Sequence, residues 1–102
     1  VYDVLIYVAN WPAVRRDPWI KLLHARSIEN QSYTIGVNRI GSDPNGIDYS
    51  GDSFVIDPKG MSILQPNDKE GVFTTTLNAN EMKSFREKFP ALADGDQFRI
   101  EL

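Results

Sequence analysis

Few side chains in this sequence are suited to covalent chemistry. There is no cysteine and one histidine, His24. A thiol nucleophile, a thiolate metal site and a disulfide framework are therefore excluded within these 102 residues. Ser53, in Gly51-Asp52-Ser53-Phe54, would need a base and an orienting group to act as a nucleophile. Only His24 could serve as that base, and no acid motif lies beside it. A strand hydroxyl bonded to backbone is the plainer reading of Ser53. Asp43, Asn45, Gly46 and Asp48 have part of a calcium-loop spacing, but the twelfth position is Phe54 where a bidentate Glu is required. A polar turn accounts for them better. His24 alone offers zinc one ligand where three or four must converge.

Two polar groups remain. Asn10-Trp11-Pro12 stands where an apolar strand meets its loop. In α/β sheets, ligands gather at the C-terminal ends of strands. Trp11 can then wall a small pocket and Asn10 can offer an amide. A buried aromatic beside a turn proline explains the same residues equally well. Arg26, Glu29 and Asn30 are polar positions on an otherwise apolar helix. They suit a solvated face or a helix-pairing interface.

The elements that must position these groups follow from local pattern. The run from Val1 to Asn10 is almost continuously apolar and reads as a strand covered on both faces. Asp17-Pro18 is a helix start, with Asp17 as cap and Pro18 in the first position. The helix is expected over Pro18 to Gln31, with Trp19, Leu22, Leu23 and Arg26 at helical spacing. Further strands are expected at Tyr33 to Ile40, Tyr49 to Asp57, Met61 to Gln65 and Gly71 to Asn78. Asn78 caps a second helix, with Glu81 three residues on, and Pro90 ends it. The order suits a mixed α/β sheet with helices packed on one face.

Composition narrows the function classes. The chain is 41% hydrophobic and 25% charged, ordinary for a soluble globular domain. Its net charge of -3, with Arg15-Arg16 the only close basic pair, argues against nucleic acid. No apolar run approaches the roughly 20 residues of a membrane span, and Val4 to Ala9 is too short for a signal-peptide core. A cytoplasmic protein without membrane contact or cofactor is expected. Because the first residue already lies inside an apolar run, a chain cut from a longer one is expected too.

Four segments, taken in order, resemble the nitrilase superfamily of carbon–nitrogen hydrolases. They are YDVLIYVANWP, HARSIENQSYTIGVNRIG, YSGDSFVIDPKG and REKFPALADGDQF. The helix stretch R-S-I-E-N-Q is similar to the family's R-A-x-E-N pattern, with Ser27 where alanine is common. Gly51, Ser53, Pro58 and Gly60 fit a G-x-S-x-x-x-x-P-x-G pattern. YVANWP and REKFP look most like the omega-amidase branch, which hydrolyses terminal amides of dicarboxylic-acid monoamides such as 2-oxoglutaramate and succinamate.

The resemblance implies the C-terminal portion, 1–102, of a single αββα-sandwich domain. It also implies a Glu–Lys–Cys triad that has no match here, so this chain alone is expected to be inactive. By the same resemblance, Asn10 and Trp11 line the substrate side of the pocket, and Arg15 or Arg16 could reach a substrate carboxylate. Helix 18–31 resembles a dimer-interface helix, which gives Arg26, Glu29 and Asn30 a packing role in a homodimer. The segment Gln97 to Leu102 would cross to the partner. The implied partners are a small amide substrate and the missing N-terminal portion. The other readings are a non-catalytic association module of the same fold and a small serine hydrolase using Ser53.

Overall fold

A computed structural model describes all residues, 1–102. The chain opens with β1 (Val4–Ala9), then a 3-10 turn (Ala13–Arg15) that runs directly into α1 (Arg16–Asn30). β2 (Tyr33–Asn38), β3 (Ile40–Ser42), β4 (Asp48–Ser50), β5 (Ser53–Ile56) and β6 (Ser62–Asn67) follow, then α2 (Ala79–Lys88) and a second 3-10 turn (Ala91–Asp94). The main sheet has the order β1-β2-β5-β6, and β3 and β4 form a separate two-stranded ribbon. β1 and β2 are parallel; β2–β5 and β5–β6 are antiparallel. This is the mixed sheet the sequence predicts.

The two faces of the sheet differ. Gly36 and Phe54 are partners in the ladder, as are Thr34 and Ile56, and both pairs lie on the face that α1 covers. Trp19, Leu23 and Ser27, four residues apart, form the buried stripe of α1. Trp19, Leu23, Phe54 and Ile56 make the core, with Ala9, Trp11 and Ile20 packed against it. Gly36 permits this close approach, because a Cβ there would lie 2.5 Å from Leu23 Cδ1 and 3.0 Å from Trp19 Cζ2.

The opposite face carries Val4, Ile6 and Val8 beside their β2 partners, continuing through Ile35, Val55 and Leu64. Val8 is 83% exposed and Ile6 61%. The strand expected to be covered on both faces is thus an edge strand with one open side in this chain. The chain is a slab of 47 × 40 × 17 Å with a radius of gyration of 15.9 Å. About 13 Å is usual for a compact domain of this length. Its accessible surface is 7413 Å², where a compact monomer of this mass has about 5800 Å².

Local boundaries differ from expectation for physical reasons. The 3-10 turn feeds the helix at Arg16, so Asp17 lies inside the first turn instead of capping it, and it bonds Lys21 at 2.6 Å. Gln31 closes α1 in the left-handed conformation, with φ 47°. The expected strand 33–40 breaks at Arg39, after which the chain joins β4. The expected strand 49–57 breaks at Gly51 and Asp52, both at positive φ. The segment 71–78 forms no strand: it pairs with no ladder, and Gly71 and Phe73 line a trough of about 590 Å³ along the open face.

α2 begins as its sequence predicts, with the Asn78 side chain accepting the Glu81 N–H at 3.0 Å. It is held to the start of β2, where the Tyr33 hydroxyl accepts the Asn78 N–H at 3.0 Å. Arg86 ties the same region together. Its guanidinium donates to Gln31 O, Asp3 Oδ1 and Tyr2 O at 2.8 to 2.9 Å.

Candidate functional site

The corner after β1 is built by residues distant in sequence. β1 and β2 pair in register up to Ala9 and Asn38. Beyond that pair the β1 backbone turns away, but the Asn38 side chain continues the contact. Its Oδ1 accepts the Trp11 N–H at 2.7 Å and its Nδ2 donates to Trp11 O at 3.0 Å. Nδ2 also donates to Gly51 O at 2.8 Å. Asn38 is buried, so each of these bonds replaces water that the amide lost on folding.

Trp11 is fixed at its ring as well. Its indole N–H donates to Arg15 O at 2.5 Å, its ring lies 5.8 Å from that of Trp19, and the Arg15 guanidinium sits 5.3 Å above it. With Tyr7, Trp19, Leu22, Leu23 and Arg26, Trp11 lines a mostly apolar hollow of about 140 Å³. Asn10 is exposed at the end of β1. The corner therefore offers one anchored aromatic and one free amide.

Arg16 is occupied elsewhere. It donates from Nε to Asp52 Oδ2 at 3.0 Å and from Nη2 to Asp52 Oδ1 at 2.7 Å. Asp52 is 3% exposed and also accepts from Ser50 Oγ at 2.6 Å. The Arg16 hydrogen bond holds the Asp52 carboxyl below its ordinary range, against the opposing effect of burial. The Arg16 charge thus has a carboxylate partner within the fold.

Ser53 is not poised as a nucleophile. Its Oγ accepts the Asn38 N–H at 3.0 Å and donates to Asn38 O at 3.3 Å. His24 uses both ring nitrogens on other partners, Ile20 O at 2.7 Å and Ser62 Oγ at 3.0 Å. Asp43 serves its own turn by accepting the Asn45 and Ile47 N–H groups, and no cluster of three metal-ligating side chains exists. Arg26, Glu29 and Asn30 bond along the helix: Arg26 pairs with Glu29 at 2.8 Å, and Asn30 donates to Arg26 O at 3.0 Å. The structure places these three apart from the Asn10 loop, apart from the share of Arg26 in the hollow.

Asn38 and Asp52 are not among the residues that the sequence singles out. One signal was available for Asn38: it shares the α1-facing side of β2 with Thr34 and Gly36, where a polar amide must find partners. Nothing local marks Asp52 as the partner of Arg16.

Residues 3–87 match the family described as carbon-nitrogen hydrolase. The chain belongs to the carbon-nitrogen hydrolase family. Over 100 residues it is 48% identical to omega-amidase YafV of Escherichia coli K12, covering 97% of this chain and 39% of that protein. It is 36% identical over 92 residues to 2-oxoglutaramate amidase of Bacillus subtilis, covering 90% of this chain and 35% of that relative. This carbon-nitrogen hydrolase chain thus spans 35–39% of the length of these two relatives. A crystal structure of XC1258 from Xanthomonas campestris, described as a CN-hydrolase superfamily protein with an arsenic adduct in the active site, superposes with a TM-score of 0.93 at 43% identity. It covers 98% of this chain and 38% of that one. No helix of this carbon-nitrogen hydrolase chain is long and apolar enough to cross a membrane.

Proposed function

We propose that this chain is the C-terminal portion of an omega-amidase-like enzyme. In this reading the intact protein hydrolyses the terminal amide of small dicarboxylic-acid monoamides, such as 2-oxoglutaramate and succinamate. The observation that carries it is the 48% identity to an omega-amidase across 97% of the chain, the Asn10-Trp11 corner included.

With no cysteine among its 102 residues, this chain supplies pocket and scaffold while the Glu–Lys–Cys triad lies in the remainder of the enzyme. The cysteine thiolate attacks the amide carbon and the lysine stabilises the oxyanion. The glutamate, as general acid, protonates the departing ammonia. Water, deprotonated by the same glutamate, then opens the thioester. Asn10 and Trp11 line the substrate side: Trp11 gives a rigid apolar wall and Asn10 a polar contact. The open sheet face with Val4, Ile6, Val8 and Val37 is where the rest of the sandwich packs. α1 pairs with its counterpart in a homodimer, a role supported by the outward-facing Leu22 and Ile28 beside Arg26, Glu29 and Asn30.

The test is ammonia release from 2-oxoglutaramate and succinamate by the intact protein and by the 102-residue chain. Activity in the intact protein and none in the chain is expected. An intact protein that releases no ammonia from either amide would replace this reading with a non-catalytic association module, and activity in the chain alone would overturn the placement of the triad.

A further inference from the structure

The Asn38 amide forms a two-point bracket on the Trp11 backbone, accepting its N–H at 2.7 Å and donating to its carbonyl at 3.0 Å. Such a pair is what a neighbouring strand residue would supply. Here a side chain supplies it, two residues past the end of the β1–β2 ladder. We propose that Asn38 is the positioning residue of the substrate loop: it holds Trp11, and through it Asn10, in the place from which they meet the amide substrate. This rests on the amidase reading of the Asn10-Trp11 corner.

Three observations converge on it. Every amide hydrogen-bonding direction in use is committed to fixing loops, since the remaining Nδ2 bond goes to Gly51 O at 2.8 Å. The backbone of Asn38 is itself locked, by Ser53 Oγ on both its N–H and its carbonyl. The bracket is also the sole side-chain hold on the Trp11 backbone, while the ring is held separately through Arg15 O. Asn38 touches no substrate in this reading. It acts through Trp11, and a loop displaced by about 1 Å can lower a rate a hundredfold.

The experiment compares three variants of the intact enzyme. Asn38→Ala removes the bracket. Arg86→Ala removes the clamp at the opposite end of the sheet and serves as a control for lost stability without loop movement. Asn38→Asp provides a reversible version. A protonated carboxyl has one donor and one acceptor, like the amide in miniature, whereas the ionised form has no donor for Trp11 O or Gly51 O. Asn38→Ala is expected to lower kcat/KM by about tenfold to a hundredfold and to abolish amide-exchange protection at Trp11. Arg86→Ala is expected to keep both near wild type. For Asn38→Asp, the ratio of its kcat/KM to that of wild type is expected to rise as pH falls. Equal kcat/KM in Asn38→Ala and Arg86→Ala, unchanged protection at Trp11, or a ratio flat with pH would each overturn the proposal. If Asn38→Ala does not fold, the Asn38→Asp profile decides. If the wild type hydrolyses no amide, the amidase reading falls, and protection at Trp11 alone decides whether Asn38 positions the loop.

Discussion

Arg16 and Asp52, 36 residues apart, meet through two hydrogen bonds of 2.7 and 3.0 Å that tie the start of α1 to the break between β4 and β5. Beside them the Trp19 indole donates to the Asp52 carbonyl at 2.7 Å. One acidic residue thus secures the helix that covers the sheet, by its side chain and by its backbone.

This pair makes stability depend on acid. The folded-state pKa of Asp52 is lowered, first by the Arg16 hydrogen bond. Its contribution is therefore complete above the unfolded value, about 3.9, and is lost as pH falls through the lower folded value. Asp52→Asn is expected to cost about 1–3 kcal/mol at neutral pH and to flatten the acid limb of the stability curve. Urea unfolding of the intact protein at pH 7 and pH 3 checks both; an equally steep acid limb in the variant would count against the pair.

Gly36→Ala tests the helix–sheet approach. The added methyl would press on Leu23 and Trp19 within the packed core, and overpacking of this kind costs about 1–3 kcal/mol. The expected result is a lower denaturation midpoint with an unchanged slope. A midpoint equal to wild type would mean that α1 can lift away freely.

The cap of α2 provides a local test. Asn78→Ala removes the side-chain acceptor for the Glu81 N–H, and loss of such a cap costs about 1 kcal/mol. Faster hydrogen exchange at Glu81 and Met82, without change in β1, is expected. Equal exchange across both regions would show that the cap is not what holds the first turn.

The isolated 102-residue chain is expected to self-associate. Val8 and Ile6 stand largely exposed on the open face, and contiguous apolar surface drives association. Sedimentation velocity checks this, and a single monomeric species at micromolar concentration would contradict it.

The sequence by itself determined the two helices, the strands β1, β2, β5 and β6 in outline, and the family, whereas the strand it predicts over 71–78 does not form. Trp19 and Leu23 at helical spacing, the apolar run of β1 and the Asn78 cap are short-range signals, because hydrophobic period and capping act over a few residues. Ordered motifs such as R-S-I-E-N-Q were enough to mark the carbon-nitrogen hydrolases. Breaks were harder to read: Arg39 and Gly51-Asp52 divide two expected strands because the chain there leaves one sheet for another, which no local pattern records. Tertiary structure alone decided which polar groups meet. Asn38 reaches Trp11 across 27 residues and Arg16 reaches Asp52 across 36, since such partnerships arise from sheet register and helix docking. Those long-range constraints give Arg16 its carboxylate partner in Asp52 and set the Asn38 amide against the Trp11 backbone.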